Sequence, residues 1–251
     1  MTSRRRGLGR ARRRQRRPAL VRWSLRLALV LLAIPLAYSG WVLAAVLHYD
    51  GHDPGLTSVM RQDLERLRAE QPQARLTQQW VDYEHISPAL MRALVVAEDA
   101  RFVDHKGFDV EGIRVAMAKN MRQGEVVAGG STITQQLAKN LFLSHERSYL
   151  RKLQEVIAAL ILEAVLSKQR ILELYANVAE WGDGLYGAQA AARYYFGVDA
   201  GALTKEQAAR LAAMLPRPRY YQANPGSRYL RARSEMILGH MRHARLPSPS
   251  S

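Results

Sequence analysis

The chain has 251 residues, of which 48% are hydrophobic and none is cysteine, and it carries a formal net charge of +15. That length supplies one sizeable core, and the missing cysteines exclude a disulfide framework without deciding the compartment. The charge resembles a nucleic-acid signature until it is mapped. Residues 1–26 hold eleven arginines and no acidic residue, while the other 26 basic residues face 22 acidic ones, so nucleic-acid binding is confined at most to a short tail and none is expected of the rest.

From Leu27 to Leu47 there are 21 residues without a charge. At about 1.5 Å each they reach roughly 31 Å, the thickness of a bilayer's hydrocarbon core. Pro35 is tolerable inside such a span, and Trp23, Trp41 and Tyr49 suit interfaces, although Trp41 lies rather deep. The apolar run is longer than the centre of a cleavable leader, and no small-residue cleavage pattern is clear before His48, so the stretch reads as an uncleaved anchor. Arginines crowd the amino-terminal side and the next after the span is Arg61, which places the amino terminus in the cytoplasm and residues 48–251 on the outer side.

A linker over residues 50–57 leads to an amphipathic helix from Ser58 to Glu70, and Thr77 to Ile86 reads as extended. Ser87-Pro88 opens a helix whose buried stripe runs through Met91, Leu94 and Val95, with Glu98 as its next member. A partly buried carboxylate rises in pKa toward the range of a general base. The alternative is a structural pair with an arginine such as Arg101. Asp99, Phe102, His105, Gly107 and Asp109 follow closely, in a spacing that fits no strong zinc motif. Asp109 to Arg122 forms another helix, and Gly124 to Gly130 a loop.

The stretch Gly129-Gly130-Ser131 allows a tight turn or close approach and then a capped helix. On that helix Ile133, Leu137 and Leu141 share one stripe, while Thr132, Gln135, Gln136 and Lys139 share the opposite one. Such a face is either solvated or built to hydrogen-bond sugars, amides and phosphates. Leu150 to Leu166 is the most hydrophobic stretch after the span and reads as a central core helix, opened by Arg151, Lys152 and Glu155 on one face, with Arg147 just upstream. These three form either a local ion pair or an anion site. Lys168 to Val178 continues as helix, with Glu173 read as structural. An alanine-rich helix covers Gly187 to Phe196, Thr204 and Gln207 form a capping box, and Ser227 to Arg242 is a last basic helix before a Pro/Ser tail. With no repeats and no convincing alternating strands, the class is all-α.

Five ordered stretches between about residues 80 and 220 resemble the peptidoglycan glycosyltransferases of glycosyltransferase family 51, in the monofunctional type with one amino-terminal anchor. They are Glu98-Asp99 with Phe102, His105 and Gly107; Gly129 to Asn140; Arg151-Lys152 with Glu155; Lys168 with Ile171-Leu172-Glu173, Tyr175 and Asn177; and Gly187 to Phe196. Ala176 departs from the family's usual leucine, at a packing position. The resemblance implies a lysozyme-like glycosyltransferase domain over residues 80–245, behind an Arg-rich tail (1–26), a transmembrane helix (27–47) and a linker with a membrane-proximal helix (48–79), and followed by a tail (246–251). It implies an inner-membrane protein with a periplasmic catalytic domain that polymerises lipid II into β-1,4 glycan strands, releasing undecaprenyl pyrophosphate.

By the same resemblance Glu98 is the base and Glu155 the second catalytic carboxylate, with a divalent cation, Mg or Mn, as an optional helper beside it. Lys139, Arg147, Arg151 and Lys152 meet the pyrophosphate, and Gly130, Ser131, Thr132, Gln135, Gln136 and Asn140 shape the substrate site with Asp99, Phe102 and His105. Expected partners are lipid II, the growing lipid-linked strand, the membrane, and cell-wall synthesis or division proteins. Because the chain ends about 30 residues after the last matched stretch, no peptide cross-linking activity is expected.

Overall fold

The computed structural model describes residues 19–124, 129–146 and 148–248. Most of the Arg-rich tail, the centre of the glycine loop and Arg147 lie outside them. The chain divides into two compact units, residues 1–40 and 41–251.

In the first unit the described residues belong to helix α1 (Ala19–Tyr49), which carries Pro35 in its interior. Leu29, Leu31, Leu32 and Ile34 are exposed. The segment Arg26–Tyr49 has a mean hydropathy of 2.1 and is the one helix among the described residues long and apolar enough to cross a membrane.

The second unit begins with the last turns of α1, where Val42 and Val46 are fully buried. Trp41 meets the ring of Phe142 edge-on at 5.5 Å. Helix α2 (Ser58–Glu70) follows, capped by the Thr57 hydroxyl. Ser87 caps α3 (Pro88–Glu98), with the proline in its first turn. Asp109 caps α4 (Val110–Gln123). Then come α5 (Ile133–Phe142), α6 (Tyr149–Val165) and α7 (Lys168–Val178). The unit is completed by α8 (Ala188–Phe196), α9 (Lys205–Met214), α10 (Pro218–Ala223) and α11 (Arg228–His240). Helix α5 packs between α6 and α7, while α3 packs on α9 and α11.

Sequence periodicity misplaces the centre. Helix α6, expected at the centre from its apolar run, leaves Leu150, Leu153 and Leu160 at least half exposed. The more polar α7 is the buried one, with Ile171, Leu172, Leu174, Tyr175, Ala176, Asn177 and Val178 all inside. Its one buried amide is fully used: Asn177 Nδ2 donates to the Val81 carbonyl at 2.8 Å, and Asn177 Oδ1 accepts from the Val81 amide at 3.0 Å. A polar side chain whose hydrogen bonds are complete is admitted to a core that periodicity would deny it.

A small sheet also departs from the expected absence of strands. It orders β1 (Thr77–Gln78), β3 (Leu185–Tyr186) and β2 (Glu180–Gly182) side by side, with β1 parallel and β2 antiparallel to β3. Strands of two and three residues are too short to show alternation. Gly187 ends this sheet at φ +82°, and a Cβ there would stand 2.8 Å from the Asn177 carbonyl oxygen, so only glycine joins β3 to α8 so close to α7.

Candidate active site

Glu98 is the last residue of α3, and the stripe that carries it inward is as expected: Met91, Leu94 and Val95 are at most 1% exposed. Arg101 does not pair with it but lies 3.5 Å from Asp109. Instead Gln136 Nε2 donates to Glu98 Oε2 at 2.7 Å, and the Tyr175 hydroxyl donates to Gln136 Oε1 at 3.0 Å. Glu98 Oε1 is buried without a hydrogen-bond partner. Burial pushes the Glu98 carboxyl above the ordinary carboxylate range and the neighbouring Asp99 adds to the rise, while the Gln136 hydrogen bond and the Arg233 charge pull part of it back.

Glu98 opens into a cavity of about 530 Å³ whose wall is shared by four elements. Helix α5 contributes Gln136 and Lys139, the first turns of α6 contribute Arg151, Lys152 and Glu155, and α11 contributes Tyr229 and Arg233; Ser131 and Gln135 complete the polar lining. Arg151 Nη1 donates to Glu155 Oε2 at 3.2 Å, and Lys152 Nζ donates to Glu155 Oε1. Four cations against two carboxylates leave this cavity positive, which suits an anionic ligand. Glu155 is the one acidic residue in the first turns of α6 and both its oxygens are already used, and among the described residues no three His, Asp or Glu side chains gather into a cation site.

The remaining expected residues are placed as follows. The cap of α5 falls at Thr132, one residue later than the glycine turn suggests. Thr132 Oγ1 accepts from the Gln135 amide at 3.2 Å, and Gln135 Oε1 accepts from the Thr132 amide at 3.0 Å. Thr132 Oγ1 also donates to the Gly107 carbonyl at 2.7 Å. Gly130 approaches α4 closely: a Cβ there would stand 3.1 Å from Ile113 Cγ1. Gly130 and Thr132 line a neighbouring cavity of about 740 Å³, together with Asp99. Asn140 lines a third, of about 230 Å³, reached past Gln136 and Lys139, which belong to both.

Asp99, Phe102 and His105, expected at the substrate, do not line the positive cavity. Asp99 accepts from His105 Nε2 at 2.9 Å and from the Ile133 amide at 3.1 Å, tying the end of α3 to the start of α5. An anionic group at a helix amino terminus is stabilising, so this pair fixes Glu98 and Gln136 relative to each other. Phe102 is fully buried, with Lys168 Nζ 4.4 Å above its ring centre. Arg147 lies outside the described residues.

Two lining residues escape the sequence reading, Tyr229 and Arg233, and so does the contact that Tyr175 makes. Arg233 is one of three arginines on α11, and spacing alone does not set it apart. Tyr175 was legible as part of a motif but not as the partner of Gln136.

The transglycosylase family model matches residues 65–242. A biosynthetic peptidoglycan transglycosylase of Thiobacillus denitrificans is 51% identical over 228 residues, covering 91% of this chain and 98% of that protein. One of Chromobacterium violaceum is 50% identical over 217 residues, covering 86% and 95%, and one of Nitrosospira multiformis is 46% identical over 226 residues, covering 90% and 98%. Matched by that family model over most of its length and about half identical to these relatives along nearly their whole chains, the chain belongs to the transglycosylase family.

Proposed function

We propose that this enzyme polymerises lipid II into β-1,4-linked peptidoglycan strands on the outer face of the cytoplasmic membrane, with its amino terminus in the cytoplasm. The observation that carries the reading is the division of labour within one cavity. Glu98 presents a buried oxygen with no partner, while Lys139, Arg151 and Lys152 line the same space.

In the proposed step, Glu98 Oε1 takes the proton of the acceptor's 4-hydroxyl as that oxygen attacks the donor's anomeric carbon. The new C–O bond forms as the bond to the pyrophosphate oxygen breaks, inverting an α-linkage to β and releasing undecaprenyl pyrophosphate. A raised pKa suits Glu98 to this task, because a base works best when its pKa lies near the working pH. The charge that builds on the leaving pyrophosphate is met by Lys139, Arg151 and Lys152, fixed before the reaction by their place on α5 and α6. Glu155 holds Arg151 and Lys152 against the wall. No peptide cross-linking is assigned to the chain.

Purified protein supplied with lipid II alone should yield glycan strands resolvable on a gel. Hydrolysis of preformed strands without polymerisation would favour a lytic enzyme instead, and no turnover would favour a binding protein.

A further inference from the structure

We propose that Tyr175 is a positioning residue for the base: through Gln136 it sets which oxygen of Glu98 is held and which is left to receive the acceptor's proton. The inference rests on Glu98 being the base. Tyr175 lines the adjoining cavity with Asn140 rather than the one that holds Glu155, and its hydroxyl reaches Gln136 Oε1 at 3.0 Å. That contact secures one orientation of a primary amide, the one that the acceptor-only carboxylate of Glu98 also demands. A Gln side chain has an accepting end and a donating end, and a hydroxyl whose proton is directed at Oε1 turns Nε2 the other way. Nε2 then donates to Glu98 Oε2 at 2.7 Å, and Oε1 remains unpartnered.

The relay is buried and shape-restricted. Tyr175 is 1% exposed on α7, and burial beside Glu98 and Asp99 keeps its phenol protonated, so it acts as a donor throughout the working range. Tyr175→Phe keeps the ring and its packing but leaves Gln136 Oε1 without its donor. An amide so released is held at one end only, and its Nε2 stays on the Glu98 carboxylate for less of the time. The ionised form of Glu98 then loses a supporting hydrogen bond, and the carboxyl protonates at higher pH. The charged groups around Glu98 are Asp99 just past the end of its helix, Arg233 on α11, and Lys139, Arg151, Lys152 and Glu155 across the cavity. None of them is altered by the substitution.

The test is the pH profile of lipid II polymerisation by full-length Tyr175→Phe, Gln136→Met and the double variant. The acid limb should move up by about half a unit to one unit in Tyr175→Phe, with kcat at the plateau lowered about 3- to 10-fold, the scale of one hydrogen bond. Gln136→Met should move the limb at least as far, and adding Tyr175→Phe to it should move it no further, because the two act through one contact. A limb that stays in place in Tyr175→Phe, or shifts that add in the double variant, would overturn the proposal and leave Tyr175 a core residue. Should Tyr175→Phe fail to fold, an unmoved limb in Gln136→Met would overturn it equally. Glu98→Gln in the same assay separates the two ideas: near-normal turnover removes the base itself, whereas an inactive Glu98→Gln beside an unmoved Tyr175→Phe removes only the relay.

Discussion

Arg233 Nη2 stands 4.0 Å from Glu98 Oε1, near enough for its charge to be felt and too far to donate a hydrogen bond. The same nitrogen donates instead to the Ala97 carbonyl at 3.0 Å. Arg233 is thereby held off the oxygen that has no other partner. A closer guanidinium would neutralise the base and block its access to a proton. Arg233→Met, which keeps the stem, should raise the Glu98 pKa and carry the acid limb of the activity profile up by about half a unit, the scale of a partly exposed pair. A limb that moves down would contradict this placement of the charge.

Glu98 also carries a stability cost with a definite sign. Its pKa in the folded protein lies above that of the unfolded chain, so the folded state holds a proton that the unfolded state has lost, and stability falls as pH rises from the ordinary carboxylate range through the raised value. Glu98→Gln removes the charge and should melt higher than the parent protein at pH 8, by about 2–4 °C for each kcal/mol recovered, with the gain vanishing at acid pH. Thermal unfolding in detergent at both pH values would check it. A variant that melts lower at pH 8 would mean that the carboxylate is stabilising.

Glu155 differs, because its partners are fixed. Its two oxygens accept from Arg151 and from Lys152, and the residue is 4% exposed. Glutamine keeps the size but replaces one acceptor by a donor, so one of the two cations is left facing an N–H group and swings away from the wall. Glu155→Gln should lower kcat about 10²- to 10³-fold, the scale of losing one preorganised charge-stabilising group, with a cooperative melting transition retained. Turnover within a few-fold of normal would remove Glu155 from the machinery.

The topology is open to a separate check. In spheroplasts, protease added outside should digest the domain that follows α1 and spare the arginine tail. Protection of that domain with cleavage of the tail would reverse the assigned orientation.

Much of this was legible in the sequence because the signals were local. The Ser87-Pro88 start, the Thr204 and Gln207 capping box, and the stripe ending at Glu98 each involve residues within one or two turns. The polar stripe of α5 and the cation cluster of α6, which spacing alone leaves open between a ligand face and a solvated one, meet in one cavity, although Thr132 and Gln135 spend hydrogen bonds on each other as a cap. What sequence pattern could not supply were pairings across the fold. Gln136 meets Tyr175 at a separation of 39 residues, and Arg233 reaches Ala97 across 136. The interior position of α7 was hidden because Asn177 satisfies its polar groups with a partner 96 residues away, whereas α6 announces apolar side chains that the fold leaves on the surface.

If Glu98 removes the acceptor's proton, purified Glu98→Gln should fail in lipid II polymerisation. The substitution preserves shape and can still accept from Gln136 Nε2, but it offers no base at the working pH. Turnover on the pH plateau should fall by about 10²- to 10⁴-fold while the protein remains folded. Polymerisation near the parent rate by a folded Glu98→Gln would contradict the account, whatever the cations of the cavity bind.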